Sequence, residues 1–488
     1  MIHPRFPDTF WSFKHALRFI GKGSLYPPLG LLTVAALLPR DWDIRLVDLN
    51  LTELSDEDLK KADYAFISAT DIQRNSSAQV ISKCKQSGLK TVAGGPLFTM
   101  EHTRFTNVDH FVLNEAELTL AGFLADLRKG YPKRIYTTAE FADIKKTPVP
   151  RWDLVDLRKY ARVGVQFSRG CPYDCEFCDV ALLFGQRVRT KTVDQVIREL
   201  DAIYSIGWRG KVFFVDDNFI GSKSYVKRHL LPALIEWRNG KKGVPFHTQV
   251  TLNLADDETL MGQMVEAGFD EVFIGIETPN LQSLDECNKK HNASRDLIKS
   301  IRRIQRAGLE VQGGFIVGFD HDTKSIFKQQ VDLIQKSGIV TAMVGVLQAP
   351  TGTKLYERLI SEGRVTGFSS CDNFKGTTNI IPKMELSVLQ NAYRKLVRQL
   401  YSPEPYYRRA KTYLEICRVP SVYVPTDADY LFAFLKSIIR LGVFGRERFE
   451  YWKLMIWTTL NRPRLLHVAT TFAINGFHFR KVSELHVR

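Results

Sequence analysis

The chain has 488 residues, 44% of them hydrophobic and 25% charged, a balance that excludes a disordered or low-complexity protein and implies about three domains. Its formal net charge of +15 favours phosphate-rich partners or an anionic membrane surface, unless the excess is only a solvated basic face. About half of that charge comes from residues 399–488.

Residues 1–145 alternate short apolar runs with helix-like segments. "IRLVDL" (44–49), "YAFISA" (64–69), "KTVAGG" (90–95) and "HFVLNE" (110–115) predict buried strands of a parallel, Rossmann-like α/β domain. Ligands of such sheets bind at the carboxyl ends of the strands. The candidates there are Ser68, Ala69 and Thr70, then Gly94, Gly95 and Pro96, then Asn114 and Glu115. Glycine at such an end lets the backbone approach a large flat ligand, although Gly-Gly-Pro also serves simply as a turn.

"KTPVPRWD" (146–153) is proline-rich and polar, and a linker is expected over 146–160. Six further strands follow within 161–370: "VGVQFS" (163–168), "KVFFVDD" (211–217), "PFHTQVTL" (245–252), "EVFIGIE" (271–277), "VQGGFIVGF" (311–319) and "VTAMVGVL" (340–347). With helical segments between them they predict a partial (β/α)6 barrel, whose chemistry sits at the carboxyl rim. Residues 371–488 read as a helical domain mixing aromatics with Arg and Lys, suited either to a small core or to a membrane surface. His247, His291 and His321 stand alone in the sequence; such histidines either line a site or sit in ordinary core or surface positions.

No apolar run reaches the roughly 20 residues that span a bilayer, and the opening "MIHPRFPDTFW" lacks a secretion signal. Seven cysteines without a framework spacing suit a reducing, cytoplasmic setting. Cys84, Cys287, Cys371 and Cys417 are isolated, whereas "FSRGCPYDCEFCDV" (167–180) gathers Cys171, Cys175 and Cys178. A structural zinc site closes with four side chains, and no second half is present. A [4Fe–4S] cluster takes four thiolates for full ligation, so three leave one iron open.

With Phe177 before the last cysteine and the loop following the first barrel strand, the sequence resembles the radical S-adenosylmethionine (SAM) superfamily. The resemblance implies that Cys171, Cys175 and Cys178 hold the cluster, that SAM chelates the open iron, and that Phe177 borders the adenine. "VDDNF" (215–219) stands where the family meets the methionyl amino group, without the usual Gly-Gly-Glu, which assigns Asp216, Asp217 and Asn218 to SAM. Gln249, Thr251 and Glu277 occupy further SAM-contact positions, and "GGFIVGF" matches the adenine side.

Over nearly the whole chain, "YPPLGLLTVAALLP", "RLVDLN", "VGVQFSRGCP" and "GFIVGFD" are most similar to the cobalamin-binding group that contains the hopanoid C-2 methylases. That implies cobalamin over the carboxyl edge of the first sheet, near Ser68, Ala69, Thr70, Gly94, Gly95, Pro96 and Glu115. Asn50 replaces the histidine of the classical lower-ligand motif, Asn114 replaces a family glycine, and "MIHP" is shorter than the family's first strand, as if the start were truncated. The resemblance implies a methyltransferase acting on an unactivated carbon of a hydrophobic or polycyclic small molecule, through a 5'-deoxyadenosyl radical and methylcobalamin. No acid–base pair is required. A flavodoxin or ferredoxin would donate electrons, and the basic C-terminal helices would make peripheral membrane contact. Relatives that cyclise, oxidise or rearrange supply an alternative. A non-catalytic cobalamin- or RNA-binding module is a third reading, without a recognisable RNA-binding motif to support it.

Overall fold

The computed structural model describes residues 1–370, 372, 374–420, 422 and 428–486; Cys371 lies outside them. The first sheet is built from β1 (Ile2–His3), β2 (Val47–Asp48), β3 (Tyr64–Ser68), β4 (Lys90–Gly94), β5 (His110–Val112) and β6 (Ile135–Tyr136), all parallel, in the order 2-1-3-4-5-6. Alternation along each strand feeds two cores: Ala65, Ile67, Ala93 and Phe111 enter one, while Phe66, Val92 and Val112 enter the other. β1 and β6 escape sequence reading because two residues carry no period. β1 nevertheless lies between β2 and β3, where the strand order reverses, the usual ligand position of such sheets.

The second sheet contains β7 (Arg162–Val165), then, after the small antiparallel pair β8 (Ser168–Arg169) and β9 (Arg189–Thr190), the strands β10 (Lys211–Phe214), β11 (Phe246–Val250), β12 (Phe269–Glu277), β13 (Glu310–Val317) and β14 (Ala342–Val346). Its order is 14-13-12-11-10-7 and every pairing is parallel. This is a six-stranded barrel left open between β7 and β14. Open edges expose unpaired backbone groups, and here both are covered. Ala161 and Arg162 donate their N–H groups to the carbonyls of Ser24 (3.1 Å) and Leu25 (2.9 Å). On the far side Tyr393 and Tyr401, from the helix Leu386–Tyr401, donate hydroxyls to the carbonyls of Val344 (3.0 Å) and Ala342 (2.5 Å).

One continuous core joins the barrel, the aromatic segment around Phe10, Phe13 and Phe19, and the C-terminal helices. Phe10 stacks on Phe479 at 4.3 Å between centroids. The stretch expected as a linker is packed: Trp152 is buried in this same core, and Tyr160 donates its hydroxyl to Asp48 Oδ2 at 2.9 Å. The C-terminal helices are Leu386–Tyr401, Pro403–Ile416, Ala428–Ser437 continuing through Ile438–Val443, Arg448–Asn461 and Leu466–His486. Among the described residues no helix is long and apolar enough to cross a membrane.

Candidate active site

The cysteine loop leaves the carboxyl end of β7 and is fastened by the next strand's aspartates. Asp216 accepts hydrogen bonds from the Phe167 N–H (3.2 Å) and from the Ser168 N–H and hydroxyl, and Asp217 accepts the Gly170 N–H at 3.0 Å. Burial pushes the Asp216 carboxyl up to about 7 and Asp217 up to about 6, against those hydrogen bonds. Both carboxylates thus brace the loop from within. Asn218 differs: its Oδ1 is buried and has no hydrogen-bond partner among the described residues, the condition of an atom waiting for a ligand.

Cys171, Cys175 and Cys178 are half-buried and free of disulfides. The Cys178 N–H closes the turn on the Cys175 carbonyl at 3.0 Å, while Glu176 ties the loop to the Cys287 carbonyl and the Leu355 N–H. Among the described residues no three His, Cys, Asp or Glu side chains converge as around a single ion. In a four-iron cube each thiolate takes a different iron. Burial pushes Cys178 up to about 12 and raises Cys175, whose rise the neighbouring Lys289 opposes.

Glu277 ends β12 in a left-handed conformation, φ 67°, which for a non-glycine residue is strained and is held only by firm surroundings. Its carboxylate pairs with the buried Lys289. A Cβ on Gly275 would come within 2.7 Å of Lys289 Nζ, so glycine there leaves the space the pair fills. Thr251 donates to Asn253 Oδ1 (2.8 Å), and Asn253 donates to the Tyr173 hydroxyl (2.8 Å), whose ring stacks on His291 at 4.0 Å. Phe177 packs beside Phe319. His321 is exposed and pairs with Glu286 at 2.8 Å.

Gln249 and His247 line a cavity of about 500 Å³ inside the barrel. Its walls are aromatic, with Phe10, Trp11, Phe13, Phe213 and Phe273 contributing, and it reaches the first sheet at His3, Asn50 and Ile72. Polar groups gather where Tyr26 Oη lies 3.0 Å from His247 Nε2 and Arg162 pairs with Glu271 at 3.0 Å. Lys211 and Gln312 also bond Glu271, at 2.8 and 2.7 Å. Burial, with Arg162 adding to it, holds His247 well below its ordinary value, so the imidazole is neutral near pH 7. Burial would raise Glu271, but Arg162 and Lys211 overcome it and hold that carboxyl well below the usual range.

At the edge of the first sheet, Gly95 adopts φ 88°, and a Cβ there would meet Ser68 Oγ at 2.5 Å; one on Gly94 would meet the Val112 carbonyl at 2.6 Å. Both glycines are therefore demanded by the sheet itself. Pro96 opens the helix Pro96–Glu101, Thr70 donates its N–H to Gln73 Oε1 (3.0 Å), and the Ala69 carbonyl accepts the Leu97 N–H (3.1 Å). Asn114 takes φ 62°, the conformation that after glycine asparagine tolerates best. Asn50 is used locally: its Oδ1 accepts the Phe6 N–H at 2.8 Å.

Glu115 does not face an open edge. It is buried between Arg169 (2.7 Å) and Arg189 (2.9 Å), and Glu117 takes the second arm of Arg169 at 2.8 Å. Arg169 stands two residues before Cys171, so this network joins the first sheet to the cysteine loop. Arg169, Tyr26, Arg162 and Lys289 escaped sequence reading, because nothing local marks a charge whose partner lies far along the chain.

The Radical SAM superfamily matches residues 165–334, and a domain of unknown function (DUF4070) matches 353–488. An uncharacterized methyltransferase of Synechocystis sp. is 37% identical over 99% of this chain and 92% of its own length. The hopanoid C-2 methylase of Rhodopseudomonas palustris is 31% identical over 93% and 87%. Among solved structures, the radical SAM methyltransferase TsrM from Kitasatospora setae, with cobalamin and a [4Fe–4S] cluster bound, aligns over 100% of this chain and 99% of its own, with a TM-score of 0.66 at 13% identity, a likeness of fold. Cysteine loop, open barrel and full-length relatives agree: the chain belongs to the radical SAM superfamily, in the methyltransferase family that includes the hopanoid C-2 methylase.

Proposed function

We propose that this protein transfers a methyl group from SAM to an unactivated carbon of a hydrophobic, polycyclic small molecule. The observation that carries the reading is the aromatic-walled cavity that runs from the barrel interior to the carboxyl edge of the first sheet. Cys171, Cys175 and Cys178 would hold the [4Fe–4S] cluster, and Phe177, Asn218, Gln249, Thr251 and Glu277 would surround SAM, with Asp216 and Asp217 fixing the loop. Cobalamin would lie over the first sheet at Ser68–Thr70 and Gly94–Pro96, with Glu115 anchoring the edge to the loop from behind. When bound, cluster and SAM supply one-electron hydrogen abstraction and cobalamin supplies the methyl carrier.

The chain's own part is positioning and exclusion of water. Phe213, Phe273 and Trp11 offer flat apolar surface to a ring system, as the hopanoid methylase likeness suggests. Tyr26, neutral His247 and Gln312 offer hydrogen bonds to one polar group at the other end, fixing which carbon faces the chemistry. A small acidic flavodoxin or ferredoxin suits a chain of this basic charge as electron donor.

The test is anaerobic turnover with methyl-labelled SAM and polycyclic candidates. Product heavier by one labelled methyl group, with S-adenosylhomocysteine and 5'-deoxyadenosine both formed, is expected. Deoxyadenosine without S-adenosylhomocysteine would replace methyl transfer by oxidation, cyclisation or rearrangement.

A further inference from the structure

Of the 24 exposed large hydrophobic side chains among the described residues, ten fall between Leu431 and Leu460. A monomeric surface rarely gathers apolar side chains so densely without a partner. They form one face of two adjoining helices. Leu431, Leu435 and Ile439 follow one helical stripe, and Phe449, Trp452, Ile456 and Leu460 follow the other. Val443 and Phe444 cap the turn between them, and the two helices meet where the Trp452 indole N–H bonds the Gly442 carbonyl at 3.0 Å. Phe444 is 80% exposed, Leu460 78% and Phe449 68%.

The charge on this face decides between occupants. Arg446, its side chain 87% exposed, reaches Glu484 only at 3.8 Å, and the Arg448 guanidinium lies over the Phe449 ring at 4.8 Å. Glu447, in the same turn, is withdrawn into the protein and paired with Arg480 at 2.8 Å. The rim is therefore basic. A second copy docking by twofold symmetry would press this basic rim against itself, whereas a bilayer with anionic headgroups offers both an apolar interior and complementary charge.

We propose that this helical face seats the protein on an anionic lipid surface, with Phe444, Phe449 and Leu460 in the headgroup–acyl boundary and Arg446 and Arg448 among phosphates. The face is also packed, through a few side chains, against the cavity wall. The Lys436 ammonium bonds the Phe19 carbonyl (3.4 Å) and Arg440 lies over the Phe477 ring (4.6 Å), while the same helix of Phe477 stacks Phe479 on the cavity-lining Phe10.

The test is flotation of the full-length, cluster-reconstituted chain with vesicles of phosphatidylcholine alone or mixed with phosphatidylglycerol, at low and high salt. Binding to the anionic vesicles, weakened by salt, is expected. The variant F444S/F449S should bind them at least about tenfold more weakly, and R446E/R448E should lose the preference for anionic lipid. Cleavage of SAM unchanged in both variants would separate this surface from the reaction. Equal flotation of wild type and F444S/F449S, no flotation of wild type, or a wild-type dimer that F444S/F449S converts to monomer without vesicle binding would overturn the proposal.

Discussion

Replacing any one of Cys171, Cys175 or Cys178 by alanine would remove one of the three thiolates proposed to hold the cluster. Each variant is expected to lose the broad visible absorption of a reconstituted cluster and to release no 5'-deoxyadenosine, measured by iron content and chromatography. The isolated Cys84 and Cys417 are buried packing residues, and the same substitution there should leave cluster content intact. At Gly95 the backbone stands at φ 88° with Ser68 Oγ 2.5 Å from the place of a Cβ. Gly95→Ala should therefore cost about 1–3 kcal/mol, read from the urea midpoint. Asn114→Gly should cost only about 1 kcal/mol, because glycine suits the left-handed conformation but gives up the Asn114 Oδ1 that accepts from the Thr137 hydroxyl (2.7 Å) and the Thr138 N–H (3.3 Å).

Among the elements, the helix Leu466–His486 carries the clearest pH signature. His478 Nε2 donates to the Phe10 carbonyl at 3.0 Å, while its Nδ1 is buried with no hydrogen-bond partner among the described residues. Burial pushes this histidine down to about 4. Below its unfolded value of 6.5 the unfolded chain takes up a proton that the folded chain refuses. The stabilisation is thus complete above about pH 6.5 and is lost as pH falls toward 4, by about 1.4 kcal/mol per pH unit. His478→Gln keeps a donor for Phe10 and removes the titration. Its denaturation midpoint should vary less between pH 7 and pH 5 than that of the wild type.

What the sequence disclosed follows from the reach of each interaction. Long strands such as β12 and β13 carry apolar runs, Val272–Ile276 and Phe315–Val317, that read directly despite the acidic and amide residues beside them, and the cysteine spacing needs no distant context. β1 and β6 have two residues each, too few for any pattern. Phe10, Trp11 and Phe13 follow neither helical nor strand period, so nothing announces that they enter the barrel. The tyrosine hydroxyls on β14 and the arginine pair around Glu115 join residues 49 to 74 positions apart, and the two-residue beginning of a sheet edge gives no sign of them.

For the whole molecule, the Glu115–Arg169–Arg189 cluster is the tie between the first sheet and the loop of the three cysteines. Glu115→Ala leaves two buried guanidinium groups facing each other and should destabilise the protein by about 3–5 kcal/mol. Because Arg169 sits two residues from Cys171, cluster occupancy should fall as well. Calorimetry and iron analysis on the same preparation check both outcomes. Glu115→Gln, which keeps the shape and loses the charge, should fall between the two.

The barrel is closed by its own extremities: residues 24 and 25 lie along one free edge, tyrosines 393 and 401 cap the other, and Phe10 meets Phe479. The last of these contacts therefore waits for the final helix, since only the Phe10–Phe479 stack draws on residues beyond 466. A chain clipped ahead of residue 466 would keep its strands and both edge covers, yet strip away the ring on which the cavity-lining Phe10 leans.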